Sequence, residues 1–307
     1  MGAPREPRSY ALVAVALLVV VAALGIAGCG SSSEGGGVAA SPTATPPAAA
    51  VERLVGTDSV AVTKEAVDAY TVAWDARSVA RQGALYARDV VFDCHATGVH
   101  VDGRAAFLEL MRLVCEVTTG AHALAGHAGR SCAVLELRQD FAQGSVQLLQ
   151  LIETRECKIM RLENYYQPLD SRVSPLRIAT PLRSAPGPAD TPAAAEAVAL
   201  KFAAALHNKD AAAVAAVSAP VIAFIDTASS TVGSNPRDVQ ARYAEIFKAP
   251  ADLAFTHVRY AFGRGWAAVI WTASSAGSGG DGVTMLEIGN GTIRRETLYY
   301  NSSNVPF

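Results

Sequence analysis

The chain has 307 residues, a formal net charge of −2, 18% charged residues and 50% hydrophobic residues. That balance offers no basic surface to a polyanion, so nucleic-acid binding is not expected. The length exceeds what one core usually organises and suffices for two domains of ordinary size.

At the N-terminus, Arg5 and Arg8 precede an almost continuous apolar run from Tyr10 to Ala27, which closes on Ile26-Ala27-Gly28-Cys29 and is followed by Gly30-Ser31-Ser32-Ser33. About 20 apolar residues can span a bilayer, so a retained transmembrane helix is one reading. The run is short, contains Gly25, ends in small residues and lacks a positive stop-transfer cluster, which favours a cleaved signal. Either way the rest of the chain is expected outside the cytoplasm, because the early positive charges lie before the apolar run. The closing tetrapeptide resembles the lipobox of bacterial lipoproteins. That resemblance implies a signal peptide over residues 1–28 and acylation of Cys29, which becomes the first mature residue. Two or three acyl chains hold firmly, so a protein anchored to the cell membrane on its extracytoplasmic face is expected. Residues 29–50 contain no aromatic residue and little that could be buried, and read as a flexible Gly/Ser/Pro tether.

Two blocks follow, 51–170 and 192–307, divided by a proline-punctuated linker over 171–191 that carries Pro175, Pro181, Pro186 and Pro188. Each block opens with helical periodicity: Val67, Tyr70, Ala73 and Trp74 within Ala66–Ala80, then Val198, Phe202, Ala205 and Leu206 within Ala194–Val217. A shift of 132 places Trp74 on Leu206, Ser78 on Asp210, Leu85 on Val217 and Phe92 on Phe224; a shift of 134 places Ile159 on Ile293 and Tyr165-Tyr166 on Tyr299-Tyr300. A nearly constant offset marks an internal repeat. In the first copy Val90-Val91-Phe92 opens a strand, Gly98–Val101 continues the pair, and Ala105–Glu116 is a helix with Phe107, Leu110, Met111 and Val114 on one face. Three strands follow, Ser131–Phe141, Ser145–Thr154 and Lys158–Tyr166. Their equivalents are Trp266–Ser274, Val283–Ile288 and Thr292–Tyr300, with Gly289-Asn290-Gly291 as a tight hairpin turn. Strands grouped behind helices indicate an α+β fold.

Ala73-Trp74-Asp75-Ala76-Arg77 before Leu85-Tyr86-Ala87, then Asp89-Val90-Val91-Phe92-Asp93, Thr97-Gly98, Gly103-Arg104 and the strand Ile159–Tyr166 resemble the nuclear transport factor 2 superfamily, and within it the SnoaL-like domains. The resemblance implies two tandem cones, each a strongly curved antiparallel sheet wrapped around N-terminal helices with a cavity at one end. Isomerases, dehydratases, cyclases, ligand-binding modules and structural adaptors share that cone, so the fold leaves the function open. In the superfamily's enzymes, such as ketosteroid isomerase, an acid at the end of the first strand supplies a general base. Carried onto this chain, that position is Cys94 in the first copy, with His95 beside it, and Asp226 in the second. Asp93 is next door, but successive strand residues point to opposite faces. Asp226 is therefore the candidate catalytic acid, against the plainer reading of a turn-forming aspartate bonded to nearby amides.

Tyr70, Trp74, His95, Tyr165, Tyr243, Trp271 and Tyr299 are the candidate ligand-lining residues, with core packing as the alternative. In each tyrosine pair, one ring should face inward and the other outward. His95, His100, His122 and His127 lack the spacing of a tetrahedral metal set, and neither a phosphate loop nor a nucleophile elbow is present, so neither metal nor cofactor is expected. With Cys29 lipidated, Cys94, Cys115, Cys132 and Cys157 form an even set in an oxidising compartment, and two disulfides are expected, Cys132–Cys157 and Cys94–Cys115. These expectations describe an anchored protein that binds a small apolar ligand or an envelope protein without catalysis, the alternatives being an enzyme using Asp226 or a structural adaptor.

Overall fold

A computed structural model describes residues 52–54, 56–142, 144–166, 188–248, 250–275 and 278–307. The signal segment, Cys29, the tether and most of the linker lie outside these residues. Among the described residues, no helix is long and apolar enough to cross a membrane.

The first helix, α1 (Val60–Asp75), starts where the Ser59 hydroxyl accepts from the Val62 amide, earlier than the apolar periodicity alone suggests. It stops at Arg77, whose φ is 48°, and Ser78 then caps α2 (Val79–Leu85). The same break recurs 132 residues on. The second block's first helix is expected to run unbroken from Ala194 to Val217 but divides into α4 (Pro192–His207) and α5 (Ala211–Ala216). Lys209 takes a φ of 54°, and the Asp210 carboxylate accepts from the Ala213 amide as a new N-cap. The remaining helices, α3 (Arg104–Val117) and α6 (Pro236–Phe247), occupy equivalent places.

The strands form two sheets. The first contains β2 (Tyr86–Cys94), β3 (Val99–Asp102), β4 (Thr118–Ala128), β5 (Cys132–Phe141), β6 (Gly144–Arg155) and β7 (Lys158–Tyr166) in the order β3-β2-β7-β6-β5-β4. The second contains β8 (Ser218–Asp226), β9 (Thr231–Gly233), β10 (Ala254–Gly263), β11 (Trp266–Ser275), β12 (Ser278–Gly289) and β13 (Thr292–Tyr300) in the matching order, β9-β8-β13-β12-β11-β10. The architecture is therefore α+β with two curved sheets backed by helices. The sheets are mixed, not purely antiparallel as expected: β2 runs parallel to β7 and β8 parallel to β13, because a helix and four further strands separate each pair in sequence. Four strands, not three, follow α3 and α6. β4, rich in alanine, glycine and histidine, shows little alternation, and both β4 and β10 carry bulges that interrupt the strand pattern. A short N-terminal strand, β1 (Glu52–Arg53), pairs in parallel with Arg259 and Tyr260 of β10, so the chain just before the first helix extends the second sheet.

The repeat holds in register. Across the first sheet Cys94, Asn164, Gln150 and Leu135 form one row; across the second Asp226, Leu298, Thr284 and Val269 form the equivalent row, displaced by 132 on the first strand and 134 on the others. Strand parity turns these rows towards the helices. The opposite faces meet each other: Cys132, Val134, Leu149, Leu151 and Tyr165 pack against Ala261, Trp266, Ile270, Met285 and Tyr299 in one apolar cluster. The two halves thus share a sheet-on-sheet core.

The β6–β7 turn places Glu156 and Cys157 at φ 53° and 61°, where the second half has Asn290 and Gly291 at 56° and 71°. Non-glycine residues tolerate this region poorly, at about 1–2 kcal/mol each, whereas Asn-Gly suits it. Replacing Glu156-Cys157 by Asn-Gly is expected to raise the thermal midpoint by about 2–4 °C. An unchanged midpoint in a calorimetric scan would show that the pair is unstrained.

The expected disulfides are corrected here: neither Cys132–Cys157 nor Cys94–Cys115 is formed. The β5–β6 hairpin turns where expected, but its register sets Cys132 opposite Glu153, while Cys157 lies beyond the strand end in the next turn. Cys132 faces the inter-sheet core, and Cys94 faces the helices with its thiol 3.7 Å from the Tyr166 hydroxyl. A thiol reagent is therefore expected to label exposed Cys157 in the native protein and buried Cys94 and Cys132 only after unfolding. Native labelling of all three at one rate would contradict these placements.

Candidate functional site

Two interiors, one in each half, carry the candidate chemistry, and their polar residues differ position by position. In the second half, Asp226 ends β8 and points towards the helices. Its Oδ1 accepts from the backbone amides of Ala228 (3.1 Å) and Ser229 (3.2 Å), and its Oδ2 from Arg242 (2.8 Å) and the Tyr300 hydroxyl (3.1 Å). The turn-forming role therefore coexists with an ion pair in which Asp226 is fully buried. Both carboxylate oxygens are thus already engaged, by four donors within the fold. Beside it, Glu296 on β13 accepts from the Tyr243 hydroxyl at 2.6 Å, while its Oε2 has no partner. Burial pushes the Glu296 carboxyl up to about 8, Tyr243 opposes the shift and the charge of Asp226 adds to it. At neutral pH this acid is largely protonated.

The rest of this interior is closely filled. Phe202, Phe224, Tyr243, Trp271, Tyr300 and Phe255 are all buried, and the Trp271 indole donates to the Thr284 hydroxyl at 3.0 Å. Phe307 rests against Tyr300, Phe255 and Trp271, with ring centroids 5.3, 6.0 and 6.0 Å away. Tyr243 and Trp271 thus lie together in the second interior, beside Asp226.

The first half exchanges this set. Cys94 stands for Asp226, Leu162 for Glu296, Leu110 for Arg242 and Met111 for Tyr243. Its own polar groups sit elsewhere in the interior. The Tyr86 hydroxyl donates to Gln82 Oε1 at 3.0 Å, and Gln150 Nε2 to Asn164 Oδ1 at 2.8 Å. Four buried polar atoms here lack a partner: the Tyr70 hydroxyl, Trp74 Nε1, Gln82 Nε2 and Gln150 Oε1. Tyr70 lies 5.9 Å from Trp74 and 6.3 Å from Tyr86 between ring centroids, and burial raises its hydroxyl pKa, with nearby Gln150 and Tyr86 opposing the rise. Phe92, Phe107, Leu110 and Met111 provide the apolar surroundings.

His95, Tyr165 and Tyr299 do not join either interior, which corrects their expected lining role. Of each tyrosine pair, Tyr166 and Tyr300 face the helices, while Tyr165 and Tyr299 face the other sheet. His95 stacks on Tyr165 at 4.4 Å and 7° and binds Asp281 of the second half (2.8 Å) and Glu163 of the first (3.1 Å). Glu163 also accepts from Arg259 (3.0 and 2.7 Å) and Tyr165 (2.5 Å), and pairs with Arg161 (2.8 Å). Burial alone would raise the Glu163 carboxyl, but its bonds to His95, Arg259 and Tyr165 hold it well below the usual carboxylate range. Burial alone would lower His95, yet its two carboxylate partners raise it to about 9. A second cluster between the sheets joins Glu136 to Arg295 (2.5 Å) and Tyr299 (2.9 Å). Among the described residues, no group of three or more His, Cys, Asp and Glu side chains is placed to hold a metal ion.

Sequence reasoning missed Gln82, Gln150, Asn164, Arg242 and Glu296. Gln150 was detectable as one amide inside the apolar run Leu148–Ile152, and Glu296 as an acid sharing the strand parity of Leu298 and Tyr300.

No protein-family model matches the chain, and no curated protein matches it. Among solved structures, it is similar to an NTF-2 like protein of unknown function from Burkholderia xenovorans LB400, with 17% identity, 36% of this chain and 88% of that chain covered, and a TM-score of 0.33. It is also similar to a hypothetical protein with a ketosteroid isomerase-like fold from Catenulispora acidiphila DSM 44928, in complex with trimethylamine, with 21% identity, coverage of 34% and 86%, and a TM-score of 0.31. A third similar structure is an LEH-like epoxide hydrolase of M. tuberculosis, with 15% identity, coverage of 34% and 83%, and a TM-score of 0.31.

Proposed function

We propose that the chain is a lipid-anchored, extracytoplasmic binding protein whose first half receives a small, mainly apolar ligand bearing one or two hydrogen-bonding groups, while the second half acts as a scaffold. The observation that carries this reading is the set of unpartnered atoms inside the first half, from Tyr70, Trp74, Gln82 and Gln150. Each buried, unpaired polar group costs about 1–3 kcal/mol, so such groups are rare unless something satisfies them. Donors and acceptors on apolar walls are what a ligand with a ketone, amide or hydroxyl would match. The closed bonding of Asp226 and the filled second interior favour a binding role over proton abstraction. Anchoring rests on Cys29 and the apolar run before it.

Native mass spectrometry of the full chain purified from its own host is the test. A small molecule released on denaturation, and lost in a Gln150→Leu variant that still folds, is the expected result; an empty wild-type protein would remove the proposal. Separately, Cys29→Ala is expected to release the protein from membranes, and retention in the membrane fraction would overturn the lipid anchor.

A further inference from the structure

Beside the first interior, Lys64, Val67 and Thr71 of α1 face Gly126 and Ala128 of β4 across a groove of about 400 Å³. Two large apolar side chains at the groove, Val60 and Leu124, are 46% and 43% exposed.

The second half shows what this space accommodates. Gly126 pairs with Leu135 and Ala128 with Ala133; 134 residues on, Tyr260 pairs with Val269 and Phe262 with Ala267. Gly126 and Ala128 therefore stand where the second half carries two aromatic rings. Those rings stack with centroids 5.8 Å apart at 25°, and the Tyr260 hydroxyl donates to Glu196 on α4 at 3.0 Å. The residue equivalent to Glu196 is Lys64, whose ammonium lies 2.5 Å from Asp68 at the groove. The first half thus keeps the helix and the strand around this space, removes both rings and places an ammonium–carboxylate pair, Lys64 and Asp68, where the second half has Glu196 and Leu200.

We propose that this groove is a binding site for a planar aromatic molecule of about two rings carrying a phenol-type hydroxyl. The ring system occupies the volume that Tyr260 and Phe262 fill in the second half, against Val67 and Leu135. The hydroxyl meets the pair at the rim, accepting from the Lys64 ammonium and donating to the Asp68 carboxylate, which satisfies both sides of a phenol. The site lies beside the stripe that carries Tyr70 and Trp74, with Val67 at the boundary between them, and its probe is not the ligand assigned to the first interior.

The probe is 2-naphthol, titrated into the full chain and followed by its own fluorescence. Saturable binding is expected, weakened at least tenfold by Ala128→Phe, which restores one missing ring, and at least threefold by Lys64→Met. A fuller copy of the second half is G126Y/A128F/L135V. A Cβ on Gly126 would come 2.8 Å from Leu135 Cδ2, and valine stands at that place in the second half. This variant should abolish binding while circular dichroism stays native. Naphthalene, lacking the hydroxyl, should bind at least threefold more weakly than 2-naphthol. Failure of 2-naphthol to bind, or equal affinity in wild type and Ala128→Phe, overturns the proposal. Equal affinity in wild type and Lys64→Met, or for naphthalene, overturns the assignment of the hydroxyl to the pair.

Discussion

Replacing Glu163 with alanine is expected to destabilise the protein by about 3–5 kcal/mol, the range found when one partner of a buried ion pair is removed. Glu163 is fully buried and accepts from Arg259, His95 and Tyr165, so its loss leaves cationic groups between the sheets without their shared anion. Because Arg259 and Asp281 come from the second half and Glu163 and His95 from the first, the damage concentrates where the halves meet. Chemical denaturation should show a lower midpoint, and the transition should separate into two steps if the halves part first. A double-mutant cycle with Arg259→Ala isolates the pair, with an expected coupling above about 1 kcal/mol. A Glu163→Ala protein that unfolds like the wild type would mean that the apolar inter-sheet cluster alone holds the halves together.

The pH dependence of stability is expected to peak in mildly acidic solution, with Glu296 setting much of the alkaline slope. Glu163 titrates lower in the folded state, so its contribution is complete above about 4.5 and is lost as pH falls through its depressed value. Glu296 titrates higher, at about 8, so stability falls as pH rises from about 4.5 to about 8, where the unfolded chain has released a proton that the folded chain still holds. His95, raised to about 9, adds a further loss between about 6.5 and about 9. Glu296→Gln fixes the neutral form. It should match the wild type near pH 4 and exceed it by several kcal/mol at pH 8, at about 1.4 kcal/mol per pH unit. Parallel stability profiles from pH 5 to 8 would show that Glu296 does not carry the buried proton. The first half, with Leu162 and Met111 at the places of Glu296 and Tyr243, suggests Glu296→Leu with Tyr243→Met as an apolar replacement that leaves neither group unpartnered.

The contrast between the halves explains why the candidate site was only partly readable. Tyr70 and Trp74 were identified because helical spacing puts them on one stripe, and that stripe faces the sheet. Tyr165 and Tyr299 were assigned to the wrong face because strand parity says only that neighbours alternate; which member turns inward depends on where the other sheet lies. His95 follows the end of β2, and both of its polar side-chain partners are distant in sequence. The disulfide expectation failed for a related reason. An even number of cysteines constrains pairing only when their Cβ atoms converge, and the β5–β6 register faces Cys132 towards one core while Cys157 turns into an exposed loop.

Local chemistry in the sequence determined the presence of the helices, the hairpins and the internal repeat, because periodicity and turn residues act over a few positions and the two copies repeat them at a nearly constant offset, whereas the helix breaks at Arg77 and Lys209 were not read from it. It also carried the expectation of an N-terminal anchor. Only the tertiary structure decided that the sheets are mixed, that β1 joins the second sheet, and that the faces without helices form a shared core with buried ions. These outcomes depend on contacts between residues far apart in the chain, whose energies come from burial and ion pairing across the fold and leave no periodic trace in the sequence.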